Sequence, residues 1–460
     1  MAGREKDQKT GQKEKVLVLI SDKRVPAGFA RLLAVAVLGL ACILGGCSGH
    51  VPYETLGEHL ARGECGAAAS LMADSAGDYG DNAELLFLLD SAMVHMRCRE
   101  FDAAQEKFRA AEDLAESLWT LSLSRETAAY LANDYVLDYA GEDFERAMIH
   151  MMSALAYLDA GEPEEALVEC RRLDSLLSLY NDRYAEKNVY KEDAFGRYLS
   201  GILREGDNDP DGAFLDYKKA LETYGDYGIY YGLEAPADLK ESLFRVAEKA
   251  GRLPDARKIL PEEEPIARDA ISGKGRVVWI LLQGTVPEKK EDRVVIPTSR
   301  GPLAIAFPRF SRPDAPGHRP MMALTPESGK PLRVIADLVS DIGAIAVKNL
   351  EDRRARIAAK AVARAVAKQV VISQAAGKGD NEVRQVVENA LNILNLFLER
   401  ADIRSWRSLP GRIYMASTFL APGPWEANAA GLGPDARKKV VVKAGQIHYI
   451  IINNALENGF

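Results

Sequence analysis

Between about Val51 and Leu260 the apolar positions follow a helical pattern in which small and aromatic residues recur. Beyond Gly275 the pattern changes to short runs rich in β-branched residues, separated by Pro and Gly. "RVVWILLQG" (276–284), "RVVIPT" (293–298) and "PLAIAFPRF" (302–310) predict strands, and "PMMALT" and "LRVIADL" are weaker ones. A long helix is expected over about Ile335–Ala376 and a second over about Asn381–Arg400. Strands return at "GRIYMAS", "KKVVVK" and "QIHYIIINN", the last two joined by a hairpin-like turn at Ala444–Gly445. The pattern predicts an α+β chain. An all-α superhelix over 47–260 and a linker over 261–275 precede a β-sandwich-like domain over 276–460, with a helical hairpin inserted at about 335–400.

Within the helical part, small residues are spaced so that neighbouring helices approach closely, with a larger residue filling the gap. "REFDAAQEKFRAAEDL" carries Phe101, Ala104, Phe108 and Ala111; "GEPEEALVECRRL" carries Gly161, Ala166, Cys170 and Leu173. "DPDGAFLDYKKALETY" carries Ala213, Tyr217 and Ala220, preceded by Gly201 at the small position of the first helix. "GRLPDARKIL" fits in part through Gly251, Leu253 and Ala256, and "RGECGAAASLM" is a degenerate first unit. These spacings resemble the tetratricopeptide repeat (TPR), a helix pair with a period of about 34 residues. "GDNDPDG" (206–212) also looks like the start of a calcium loop. Counting from Asp207, however, the twelfth position needed for a bidentate carboxylate is Lys218, so the acids read as a turn and a helix cap.

The first 31 residues are polar and rich in Lys and Arg, and "LLAVAVLGLACIL" (32–44) follows. That run is too short to span a bilayer and has the length of a signal-peptide core. Leu44, Gly45, Gly46 and Cys47 match the bacterial lipobox, which implies residues 1–46 as signal peptide and a diacylglycerol on the Cys47 thiol. Ser48 after the cysteine favours the outer membrane, by analogy with enterobacterial lipoproteins. Of the five cysteines, Cys65, Cys98 and Cys170 remain in a mature chain. Either Cys65 and Cys98 pair or all three are small buried residues, and no C-x-x-C pair points to zinc.

A stretch between repeats, Ala132–Leu176, resembles a family of uncharacterised bacterial TPR-containing envelope lipoproteins. The resemblance rests on Asn133, Asp134, Tyr139, Gly141, Phe144, Glu145, Ala154, Tyr157, Gly161, Ala166, Glu169, Arg171 and Arg172. It extends through "DLVSDIGAIAVKNLEDRRARIAAKAVARAVAK" and "ADIRSWRSLPGRI", and it implies no known chemistry.

Composition adds little: 47% of residues are hydrophobic and the formal net charge is −8, which gives no reason to expect nucleic acid. No Walker, H-E-x-x-H, G-x-S-x-G or dinucleotide-binding signature is present, so neither a catalytic residue, a metal nor a cofactor is expected. Candidate partner-binding residues are Arg171 and Arg172, and Arg404, Trp406 and Arg407; the bland alternatives are solvated helix charges and a Trp406 that plugs the seam between helices and sheet. Arg356, Lys360, Arg364 and Lys368 form a basic stripe opposite Ile357, Val362, Val366 and Val370, as on a helix that covers a sheet with its apolar side. The expectation is a non-catalytic scaffold or adaptor, lipid-anchored and facing the periplasm, that binds protein or peptide partners through its repeats. The alternative is a polysaccharide- or peptidoglycan-binding protein or enzyme working through the strand-rich domain.

Overall fold

Helices come in successive antiparallel pairs: α1 (Tyr53–Ala61) with α2 (Cys65–Asp74), and α3 (Glu84–Arg97) with α4 (Phe101–Ser124). Then come α5 (Asp143–Ala160) with α6 (Pro163–Tyr184), α7 (Ala194–Gly206) with α8 (Pro210–Tyr231), and α9 (Ala237–Lys249) with α10 (Leu253–Ile259). Each pair turns through one residue in the left-handed region, namely Gly63, Arg99, Gly161, Asn208 and Gly251 in order. The same turn recurring along the chain is the structural mark of a repeat. The structure, a computed structural model, describes residues 51–124, 137–184, 190–261, 268–298, 301–311, 318–375, 399–429, 432 and 436–455. The lipobox and Cys47 lie outside them, as does most of the second hairpin helix expected at 381–400.

Most repeat positions read from sequence are core, whereas Phe101 and Leu253 are half-buried and Gly161 and Gly251 lie exposed in the turns. Ala104, Phe108, Ala111, Ala166, Cys170, Leu173, Ala213, Tyr217, Ala220 and Ala256 are all buried. Gly201 is required: a Cβ there would overlap the Tyr217 ring. The "GDNDPDG" acids form the α7–α8 turn. Asp209 caps α8 by accepting from the Gly212 N–H at 2.9 Å, and also accepts from Arg204 at 2.9 Å. Cys65 and Cys98 are bonded, with Cα atoms 5.6 Å apart, which settles the pairing left open by the sequence; Cys170 is buried and unbonded.

After the single-turn helix α11 (Arg268–Ile271) the chain enters β1 (Gly275–Thr285), β2 (Lys289–Thr298), β3 (Gly301–Phe310), β4 (Met321–Pro326), β5 (Leu332–Ile335) and β6 (Asp337–Asp341). The long helix α12 (Ile342–Ala375) follows, then β7 (Pro410–Leu420), β8 (Gly423–Ala429), β9 (Arg437–Val442) and β10 (Ile447–Asn454). One sheet has the order β10-β1-β7-β6, with β10 parallel to β1; a second is β5-β4-β8-β9; β2 and β3 form a separate hairpin.

The first two sheets pack face to face. Val277, Trp279 and Leu281 of β1 meet Met322, Leu324, Ala427 and Ala429 of the second sheet. The alternate residues Val278, Ile280 and Leu282 join the core of the helical repeats. Buried on both faces, β1 reads as an unbroken apolar run rather than an alternation. The unit His50–Phe460 is therefore layered as helices, sheet, sheet, with one core running from the repeats into the strands.

The structure corrects two expectations and adds one strand. Residues 337–341 are strand, and α12 begins only at Ile342, where Asp341 accepts from the Ala344 N–H at 2.8 Å. The Ala444–Gly445 turn is not a hairpin: β9 pairs with β8 and β10 with β1, so the turn carries the chain from one sheet to the other, with Gly445 at φ +73. β8, with the weak strand sequence GPWEANA, is paired on both edges, by β4 and β9.

Candidate functional site

The first helices of four pairs, α3, α5, α7 and α9, present acids toward the strand-rich part, which answers with donors from β1, β2, α12 and the segment before β7. From α3, the buried Asp90 accepts from the Tyr53 and Tyr79 hydroxyls, each at 2.7 Å, and from the Ser408 hydroxyl and N–H. Burial raises its pKa, against the lowering effect of those hydrogen bonds. From α5, Glu145 accepts from Tyr139 at 2.5 Å and from the Trp406 N–H at 2.7 Å, while Glu142 pairs with Lys289 at 2.7 Å and with Arg353. Burial pushes the Glu142 carboxyl up, but Lys289 and Arg353 outweigh it and hold it at about 2.

From α7 and α9 the arrangement converges on Arg276 of β1, which is 2% exposed. Arg276 donates to Glu205 at 2.8 Å, to Asp238 at 2.6 Å, and to Ser417 and Ser242, each at 2.9 Å. Glu205 also takes Arg245 at 2.7 Å and the Tyr217 hydroxyl at 2.8 Å. Burial raises its carboxyl, Arg276 and Arg245 lower it further, and it ends at about 2. Tyr224 of α8 donates to the Val339 carbonyl of β6 at 2.8 Å. The face made by the first helices is thus occupied by the chain's own strands. Tyr217, the repeat residue that reads most clearly in sequence, supports this network from behind.

This geometry decides the place of each candidate from sequence. Trp406 has no exposed surface, and its indole donates to Ser408 at 2.9 Å. It is the plug between helices and sheet, and the reading of it as a partner anchor is corrected. Arg404 pairs with Asp402 at 2.8 Å, donates to the Asn82 carbonyl at 2.8 Å and lies over the Tyr139 ring. Arg407 stacks on Tyr53, with 4.5 Å to the ring centroid. Both arginines serve the same seam. Arg171 and Arg172 are on α6, a second helix of its pair; Arg171 is exposed, and Arg172 pairs with Glu112 at 3.1 Å and Glu169 at 3.5 Å.

The second half of the basic stripe on α12 is inverted relative to expectation, while in the first half Arg356 is exposed and Ile357 packs on the core. Arg364 and Lys368 turn inward to the buried Glu399, at 3.4 and 2.6 Å, beside Ala361 and Ala365 packed on Leu303 and Ile305 of β3. Val362, Val366 and Val370 are exposed instead. The alanines allow close approach to the sheet, and an ion pair with Glu399 is the stronger demand on that face. Sequence reasoning missed Glu399, Arg276 and Lys289 because isolated charges beside apolar runs carry no motif.

An open cleft between β3 and α12 is lined by Asp292, Phe307, Phe310, Glu351 and Arg354. Asp292 pairs with Arg309 at 2.6 Å and Arg354 lies over Phe307, so the cleft's charges are largely engaged. Among the described residues there is no metal-binding group of three or more His, Cys, Asp or Glu, and no helix is long and apolar enough to cross a membrane.

No protein-family model and no curated protein matches the chain. Among solved structures, it is similar to the crystal structure of MamA protein, with 16% identity and a TM-score of 0.28, over 45% of this chain and 86% of that one. It is also similar to BtubC (BKLC) from P. vanneervenii, with 17% identity and a TM-score of 0.30, over 46% of this chain and 80% of that one. The TPR-like assignment of the helical part stands on its own geometry: the paired helices, the recurring left-handed turn and the small–large–small packing.

Proposed function

We propose that this chain is a non-catalytic adaptor of the bacterial cell envelope, tethered by lipid on Cys47, that binds protein partners on its outer surface. The observation that carries this reading is the filled inner face. Asp90, Glu145, Glu205 and Asp238 are bonded to residues 276 and 406–417 of the same chain, so the repeats act as a frame that presents the strand-rich part. A TPR array with an open groove would leave those acids to a partner. Recognition then falls to surfaces such as the second helices, where Arg171 is exposed. The Cys65–Cys98 bond supports export, because disulfides persist in oxidising compartments.

The test has two parts. Cys47→Ala should move the protein from the membrane fraction to the soluble fraction; continued sedimentation with membranes would remove the anchor. A photo-crosslinking residue at Arg171 should capture a protein in cells, whereas one at Ser417, within the filled face, should not. Capture from Ser417 alone would restore the open-groove reading.

A further inference from the structure

Arg146, in the first turns of α5, is 5% exposed, yet no carboxylate of the described residues pairs with it. Its Nε and Nη1 have no hydrogen-bond partner among the described residues. The neighbouring acids are committed elsewhere: Glu142 to Lys289 and Arg353, Glu145 to Tyr139 and the Trp406 N–H. What surrounds the guanidinium is aromatic. Its Cζ lies 5.0 Å from the Trp119 ring centroid and 5.5 Å from that of Tyr180, and the two rings are 6.1 Å apart. A second cation, the exposed Arg183, lies over the same Trp119 ring at 4.5 Å. On the other side, Gly141 at φ +78 leaves room for the Arg146 stem; a Cβ there would come within 3.1 Å of Arg146 Cγ.

A buried charge without a counter-ion is costly, and ring faces offset only part of the lost hydration. A guanidinium also has donors in a fixed fork that matches an oxyanion. Here a cation is desolvated, oriented by two rings, backed by a second arginine, and has two of its nitrogens without an acceptor among the described residues. We propose that Arg146 is the anchor of an oxyanion-binding site at the junction of α4, α5 and α6, taking a carboxylate or a phosphate between Arg146 and Arg183. The site lies apart from the Arg276 network.

The test uses the full mature chain and follows thermal melting in sodium acetate and sodium phosphate, against sodium chloride at matched ionic strength. A bound oxyanion should raise the wild-type Tm saturably, by about 3 °C at a hundredfold excess over Kd. The rise should vanish in Arg146→Met, which keeps an apolar stem and is expected to fold, and should weaken in Arg146→Lys, which cannot fork. A larger response to acetate assigns the site to carboxylates, and a larger response to phosphate assigns it to phosphates. If neither anion exceeds chloride, or if Arg146→Met responds as the wild type does, the proposal is overturned.

Discussion

Arg276→Met tests the joint between helices and strands. The substitution keeps an apolar stem of similar length but removes a charge that bonds Glu205 at 2.8 Å and Asp238 at 2.6 Å. Removing one partner of a buried ion pair costs about 3–5 kcal/mol, because the carboxylates stay behind in a poor solvent. The electrostatics of Glu205 agree in size. Burial raises its carboxyl, yet Arg276 and Arg245, with help from the Tyr217 hydroxyl, bring it from 4.5 to about 2, a net shift on the order of 3 kcal/mol. For a unit of about 410 residues, His50–Phe460, a loss of that size lowers Tm by about 3–6 °C.

The mutant also carries a pH signature. Glu205 has a folded pKa below its unfolded value, so its contribution is complete above pH 4.5 and is lost as pH falls from there toward about 2. Asp238 is lowered in the same way: burial raises it, and Arg276 with Arg245 more than offsets that. Arg276→Met removes part of this contribution, so its stability should fall less steeply than the wild type's between about pH 5 and pH 3. Thermal melting by circular dichroism at a series of pH values measures both effects. A loss under about 1 kcal/mol at neutral pH, or acid limbs that run parallel, would refute the reasoning.

Gly201→Ala drives a methyl into the Tyr217 ring and should cost about 1–3 kcal/mol by overpacking, read as a lower melting temperature; an unchanged Tm would mean that the helices can separate there freely. Cys65→Ala with Cys98→Ala opens a cross-link with a sequence separation of 33, worth about 3–4 kcal/mol in chain entropy. Non-reducing peptide mapping should recover the Cys65–Cys98 pair, and a mapping that finds Cys170 in a disulfide would contradict the burial of that residue.

Much of the helical architecture is legible because it is local. Ala213, Tyr217 and Ala220 fix a packing geometry within one helix pair, and Asp209 with Pro210 fixes where α8 begins. The strands β1, β2, β3, β7, β9 and β10 are likewise written in runs of β-branched residues. Which strand pairs with which is not. The apolar pattern of β9 and β10 is the same whether they form a hairpin or enter different sheets; the choice rests on partners far away in the chain, β8 and β1. The α12 stripe shows the same limit. Its spacing defines a basic side and a valine side, but which side faces inward depends on Glu399.

The sequence by itself determined the repeat, its turns and the change from helix to strand near residue 275, because each follows from neighbours within one helix pair or one strand. Tertiary structure alone decided that the inner face of the repeats is closed. The acids Asp90, Glu145, Glu205 and Asp238 are scattered through the helices, and their donors lie far along the chain. A buried charge is satisfied by distance in space rather than in sequence, so only the folded chain shows that the groove is occupied and that the Arg146 guanidinium sits buried against two rings.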